Sequence, residues 1–454
     1  MKIYKRIAVL FFLIQSTAFA QTDSVFIRKI YDEALINGQC YQNLEYLCKK
    51  IGPRLSGSSN AEKAVNWTKQ LMEKYGFDTI YLQEVMVPHW VRGAKETAFI
   101  KSGNEKIPVP ITALGGSVAT PEKGITANVI EVKNFDELRA MGEAKVKGKI
   151  VFYNRPFDPR PIKTFLSYGG AVDQRVHGAV EAAKLGAVGV IVRSMTHAID
   201  DNPHTGTMRY DNGVLKIPAA AISTKGANLL SEKIKSGKPL TFYFKQSCRE
   251  LPDAKSHNVI AEIKGTGNPK EIIAVGAHLD SWDLAEGAHD DGTGVMQSVE
   301  VLRMFKTLGY KPRHTVRAVL FVNEENGLRG GTKYAELAER NAEKHIAAIE
   351  SDEGGFTPRG FAFQDVPEKV KKINENWKQL LEPYGLAELI NGEAGADISP
   401  LKNTVLIGYM PDSQRYFDIH HSTSDVFENV NKRELELGAA SMASLIYLID
   451  KYGL

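Results

Sequence analysis

Apolar residues follow two rhythms along the chain, and the changes between them mark its elements. Steps of three and four residues predict helices over Ser24–Leu35, Tyr41–Lys50 and Ala61–Tyr75, the last through Val65, Leu71 and Met72. The Gly/Pro/Ser stretch Ile51–Asn60 reads as a loop, and Gly76 stops the third helix before a strand predicted over Thr79–Val85. Past Thr120 the runs shorten. Short strands and helices are expected over Ile125–Val132, Lys149–Tyr153, Gly178–Leu185, Val188–Val192, Ala219–Ser223, Lys225–Ser236 and Leu240–Lys245. These runs could bury a small core of their own, so residues 120–246 are read as an inserted domain.

The remaining part alternates buried-strand runs with helices. Asn258–Lys264, Ile272–Gly276, Thr315–Val322 and His345–Ile349 are the strands. Helices fall at Val295–Phe305, with Gly309 as stop signal, at Thr332–Lys344, at Val366–Leu380 and at Glu434–Leu448. The stretch between the last two, containing Gly392–Pro400 and His420–Asp425, reads as loop-rich. Continuous apolar strands alternating with helices predict an α/β fold with a mixed, mainly parallel central sheet flanked by helices.

Length and charge narrow the class. A chain of 454 residues, 43% hydrophobic and 24% charged, is globular and too long for one average domain. Lys2, Lys5 and Arg6 precede the apolar run Ile7–Ile14, and Ala18-Phe19-Ala20 completes the pattern of a secretory signal peptide over residues 1–20. That predicts export, to the periplasm or outside the cell, with no membrane association after cleavage. The formal charge of +3 resides in this leader, which leaves 54 basic against 54 acidic residues, so nucleic acid is excluded as a partner. The body divides into 21–119 and 247–454, which together form the main domain, and the insertion between them. Three cysteines, Cys40, Cys48 and Cys248, permit at most one internal disulfide. His177, His197 and His204 share no spacing with carboxylates and are expected on surfaces or loops.

The chemistry gathers at strand ends. Ile272–Gly276 runs into His278-Leu279-Asp280 and then an acidic, Gly-rich loop ending in Asp290-Asp291-Gly292. Thr315–Val322 ends at Asn323-Glu324-Glu325, and His345–Ile349 ends at Glu350-Ser351-Asp352. Carboxylates placed directly after buried strands are costly unless a cation compensates them. Ligands of open α/β sheets sit at such carboxyl ends. The available metal donors are His278, Asp290, Glu324 or Glu325, Asp352, and His420 or His421. Imidazole with carboxylate suits zinc, with cobalt or manganese as substitutes, and five donors favour two ions sharing a bridging carboxylate over one.

His278-x-Asp280, Gly287-Ala288-His289-Asp290-Asp291, Asn323-Glu324-Glu325-x-Gly327, Glu350-Ser351-Asp352 and His421-x-x-x-Asp425 together resemble the five blocks of the co-catalytic zinc exopeptidases, the family of leucyl aminopeptidase and glutamate carboxypeptidase II, nearest to its carboxypeptidase Q branch. The resemblance spans nearly the whole chain after the leader and makes the insertion similar to a protease-associated domain. It implies that His278 and Asp352 hold one zinc, Glu325 and His421 the other, and Asp290 bridges them, with a cis peptide expected at Asp290-Asp291. His421 rather than His420 matches because Asp425 lies four residues after it. Asp280 would orient His278, and Glu324 would be the general base. On position in the family pattern, Gly395–Ile398 with Asp397, and Ser413–Tyr416 with Tyr416, are expected to line the substrate pocket. The implied activity is cleavage of small peptides next to a free terminus, dipeptides first, with a homodimer left open. An aminopeptidase acting on longer peptides, a glutaminyl cyclase working with one zinc, and a binding protein that has lost its ligands share the fold. The last is disfavoured because all the ligands are present.

Overall fold

The computed structural model describes residues 22–454, so the leader expected over residues 1–20 lies outside the described residues. Residues 22–37 and Cys40–Tyr46 are helical, the latter running into a π-helical turn over Leu47–Ile51, and Ser59–Tyr75 is the third helix. The main sheet has eight strands, Thr79–Val91 (β1), Arg249–Ile263 (β2), Glu271–His278 (β3), Thr315–Phe321 (β4), Lys344–Glu350 (β5), Pro358–Phe363 (β6), Glu388–Asn391 (β7) and Val405–Pro411 (β8), in the order β1-β2-β4-β3-β5-β8-β6-β7. Its centre, β4-β3-β5-β8, is parallel, while β1, β2 and β6 join by antiparallel pairs. This is the expected mixed α/β sheet, mainly parallel at its core.

The sequence makes the centre parallel because helices cover both faces, which calls for strands apolar on each side. All seven residues of β4 are buried, as are Ile272–His278 of β3. The helix Thr293–Thr307 is buried from Thr293 to Phe305, and the long helix Lys432–Tyr452 packs against it in the same core as β3. In the region read as loop-rich, β7 and β8 are strands. β7 has four residues, and β8, Val-Leu-Ile-Gly-Tyr-Met-Pro, is an apolar run interrupted by Gly408 and ended by Pro411, residues that weaken a strand signal.

A second eight-stranded sheet hangs between β1 and β2, which pair from Thr79 opposite Glu262 to Val91 opposite Arg249. Its order is Glu105–Pro108, Thr97–Ser102, Leu240–Lys245, Ile125–Val132, Ile150–Tyr153, Gly189–Arg193, Ala219–Ile222, Ile111–Ala113. Each face has its own apolar cluster, one around Val151, Val190 and Ala219 and the other around Phe152, Ile191 and Phe244. The sheet takes in Thr97–Ala113, upstream of the boundary read at residue 120. Those strands are short and broken by Lys101, Glu105 and Lys106. They are secured by antiparallel pairing to Leu240–Lys245 and Ala219–Ile222, partners more than 100 residues away. All three cysteines are buried and free.

Candidate metal centre

Register brings the strand ends together. His278 lies opposite Phe321, and Gly276 opposite Glu350, so His278, Asn323-Glu324-Glu325 and Ser351-Asp352 leave adjacent parallel strands on one edge. Asp290 arrives from the turn that opens the helix Thr293–Thr307, and the Asp290-Asp291 peptide is cis as expected. His421 follows the short helix Tyr416–Ile419 with φ 59°.

The imidazole of His278 points its Nε2 at two carboxylates, 3.3 Å from Asp290 Oδ1 and 3.2 Å from Asp352 Oδ1. That of His421 points its Nε2 at two others, 3.2 Å from Asp290 Oδ2 and 3.1 Å from Glu325 Oε2. Asp290 therefore offers one oxygen to each histidine. Donor atoms of His278, Asp290 and Asp352 lie within 4.8 Å of one another, as do those of Asp290, His420 and His421. His420 is the poorer donor. Its Nε2 stands 3.8 Å from Asp290, and its ring packs among Tyr168, Tyr416 and Phe417 and stacks on His421. Imidazole nitrogen and carboxylate oxygen gathered in this way, with Asp290 common to both sets, are a donor chemistry that suits zinc.

Asp280 sits where the resemblance put it but works differently. Its main-chain carbonyl lies 2.9 Å from His278 Nδ1, which fixes the ring with Nε2 turned to the acids, whereas its Oδ1 is 3.9 Å from Nδ1. The carboxylate instead accepts from the Glu324 N–H at 3.1 Å and from Ser56 Oγ at 3.0 Å. It thus holds the segment that carries Glu324 and Glu325. Asp425 does the same for the bridging residue, accepting the N–H groups of His289 and Asp290 at 2.7 and 3.2 Å.

Arg54, from the loop Ile51–Asn60 that reads as mere punctuation, is fully buried. It donates to the carbonyls of Leu279, Glu286 and Gly287 at 2.5, 2.6 and 2.9 Å, clamping the loop between His278 and Asp290. A single arginine between a proline and a leucine carries no periodic signal.

Electrostatics set the protonation of these groups. Burial opposes ionisation of Asp290, yet His278 and His421 on its two oxygens hold it well below the usual carboxylate range. Burial would lower His421, but Glu325 and Asp290 push it up to about 10. Burial and Asp290 lift Glu325 to about 7 against the pull of His421. Glu324 is raised well above the ordinary range by burial, with Asp352 and Glu325 adding to the shift and His278 opposing it.

The centre opens into a cavity of about 550 Å³. Glu324–Arg329 and Tyr416–His421 form one side, and Phe165, Tyr168, Arg175 and Thr207–Arg209 of the second sheet's unit form the other. Tyr416 lines it as expected. Asp397 is fully buried and is not among the lining residues; Glu350 accepts the N–H groups of Asp397 and Ile398 at 3.3 and 2.9 Å. Gly395 permits this, since a Cβ there would lie 1.9 Å from the Glu350 carboxyl carbon. His204 lies in a loop, as expected, and is buried. Burial takes its pKa down to about 4, and the neighbouring Thr205 N–H donates to the His421 carbonyl at 2.8 Å.

The chain is similar to known peptidases in sequence and in fold. The profile of peptidase family M28 matches residues 258–446. Carboxypeptidase Q of Bos taurus is 36% identical over 422 residues, 92% of this chain and 86% of the relative. The crystal structure of a peptidase M28 precursor from Shewanella amazonensis SB2B superposes with a TM-score of 0.90 at 34% identity, covering 95% of this chain and 97% of that one. A zinc aminopeptidase from Bacillus subtilis shares the fold, with a TM-score of 0.63 at 19% identity over 90% of this chain and 93% of that one.

Proposed function

The chain belongs to peptidase family M28 and is a zinc metallopeptidase, and from that premise we propose that it is an exported dipeptidase of carboxypeptidase Q type working with two zinc ions. The observation that carries the reading is the shared carboxylate of Asp290, with one oxygen toward His278 and the other toward His421. In this reading His278 and Asp352 hold one ion, Glu325 and His421 the other, and Asp290 both. Zinc bound there would polarise the scissile carbonyl and make a water acidic near neutral pH.

The chain's own groups do the rest. Glu324 takes the proton of the attacking water on its carboxylate and returns it to the nitrogen of the leaving amine. Asp280 positions Glu324 through the 3.1 Å bond to its main chain, and its carbonyl fixes the His278 ring. Arg54 keeps the intervening loop in register, and Asp425 keeps Asp290 in place.

The choice of short peptides is supported by the cavity, which Phe165, Tyr168 and Met208 line from the unit between β1 and β2, a unit we read as a protease-associated domain. Export rests on the composition of the first 20 residues; among the described residues no helix is long and apolar enough to cross a membrane.

The test is hydrolysis of a dipeptide series beside tripeptides, with zinc per chain measured on the same preparation. Cleavage of dipeptides at close to two zinc ions per chain is expected. Preference for tripeptides would shift the reading to an aminopeptidase of longer peptides. One tightly held ion would remove the bridged centre.

A further inference from the structure

We propose that His289 is a positioning residue of the metal centre, whose ring fixes the segment carrying Asp352 and the segment carrying His421 to the turn that carries Asp290. The proposal rests on the two-zinc reading and deepens it, because it names what keeps the two donor sets in register.

His289 immediately precedes Asp290, is 1% exposed, and has a partner for every polar group. Its main-chain N–H donates to Asp425 Oδ1 at 2.7 Å, and its carbonyl accepts from Thr293 Oγ1 at 3.2 Å. The ring reaches out of the turn in two directions. Nδ1 accepts the Gly355 N–H at 3.1 Å, and Nε2 lies 3.2 Å from the Asn429 carbonyl oxygen. A main-chain N–H only donates and a carbonyl only accepts, so the ring is bare at Nδ1 and carries its hydrogen on Nε2. One tautomer alone satisfies both neighbours.

Each neighbour belongs to a donor segment. Gly355 follows Asp352, and its bond to His289 is the only hydrogen bond that residues 353–356 make among the described residues. Phe356 adds a ring stacked on the imidazole, with centroids 4.3 Å apart and planes 12° from parallel. The close approach needs a glycine, since a Cβ on Gly355 would lie 2.6 Å from Thr293 Cγ2. On the other side, Asn429 closes the stretch that begins at His421, its side-chain amide donating to the Ser424 carbonyl at 2.7 Å. The Asp290 turn is thus tied through one ring to both flanking segments. Asp425 anchors the main chain of the turn, but it does not reach the Asp352 segment.

Metal donors have to be held to within about 0.5 Å of their working positions, and groups that orient them typically contribute about 10–100-fold to metal affinity. His289 touches none of the donor atoms and acts through the main chain on either side of them.

The experiment titrates zinc-free wild type and three variants with zinc against a chelating dye, with urea unfolding in EDTA measured beside it. His289→Phe keeps the stacked ring and loses both hydrogen bonds. His289→Asn keeps an acceptor where Nδ1 stands, and His289→Gln a donor where Nε2 stands. The wild type should take up two ions, His289→Phe should bind zinc about 10–100-fold more weakly, and the Asn and Gln variants should each recover part of that loss. In the wild type alone, ¹⁵N-histidine NMR should find the ring next to the Gly355 amide with its hydrogen on Nε2, a readout that needs no variant to fold. Wild-type zinc affinity in His289→Phe, whatever its stability, would overturn the proposal by leaving the ring a packing role. So would Asn and Gln variants that bind zinc no better than His289→Phe, or a hydrogen on Nδ1 in the wild type. A wild type that takes up a single zinc defeats the two-zinc reading itself, and this inference with it.

Discussion

Arg54→Met removes a side chain of similar length that holds three main-chain carbonyls, those of Leu279, Glu286 and Gly287. A hydrogen bond from a charged donor contributes about 1.5–3 kcal/mol, so three would sum to about 4.5–9 kcal/mol if independent. They share one side chain and one loop, and a loosened loop lets water reach its carbonyls, which brings the expected loss to about 3–5 kcal/mol. The loop joins His278 to Asp290, so slack there also reaches the metal donors. Disturbing groups that orient ligands typically costs about 10–100-fold in metal affinity. Urea unfolding in the presence of EDTA measures the first effect free of metal, and competition against a zinc-binding dye measures the second. Arg54→Lys should fall between, since an ammonium cannot fork to three carbonyls. Arg54→Met with wild-type unfolding and wild-type zinc affinity would show that the clamp is passive and that the loop holds itself.

Three further outcomes are expected. Glu324→Gln should keep zinc per chain unchanged and lower kcat by about 10²–10⁴-fold, since the proton acceptor is lost while the donors stay; parallel loss of zinc would move Glu324 into the ligand set. Asp290→Asn should lower zinc per chain below one, as measured by mass spectrometry of the metal, because one carboxylate serves both sets. Burial and Glu300 lift the Glu436 carboxyl to about 7 from 4.5, so its ionisation destabilises the folded state increasingly from pH 4.5 upward and fully above about 7. Glu436→Gln should therefore be about 3 kcal/mol more stable than wild type at pH 8 and equal to it at pH 4, as read by thermal unfolding at the two pH values.

The parts of this molecule that the sequence made legible are those in which neighbouring residues repeat one preference. β3, β4 and β5 are unbroken apolar runs, and the carboxylates after them contradict their surroundings, which is why His278, Glu324, Glu325 and Asp352 stood out. The helix Lys432–Tyr452 showed itself by period. What stayed hidden is set by partners distant in the chain. Thr97–Ala113 joins the second sheet only through pairing to residues beyond 218. Arg54, Ser56 and Asp425 act through hydrogen bonds spanning 135–233 residues, and a single polar side chain leaves no local pattern. Asp397 failed for a related reason. Its placement in the family pattern located the loop, but not the hydrogen bonds from its main chain to Glu350.

The unit between β1 and β2 is built into the centre rather than laid over it. Thr205 N–H donates to the His421 carbonyl at 2.8 Å, Thr196 Oγ1 to Asp418 at 3.2 Å, Asn202 to Ser424 Oγ at 3.1 Å, and Thr164 Oγ1 to the Ser413 carbonyl at 2.8 Å. All four reach one segment, residues 413–424, which supplies Tyr416 and His421. His421 adopts a left-handed main-chain conformation that a non-glycine residue holds only when its surroundings impose it. The unit that narrows the cavity is also what imposes it. A displacement of this unit would pull on the same hydrogen bonds that hold residues 413–424, so under the proposed function the position of the unit and the seating of His421 are coupled.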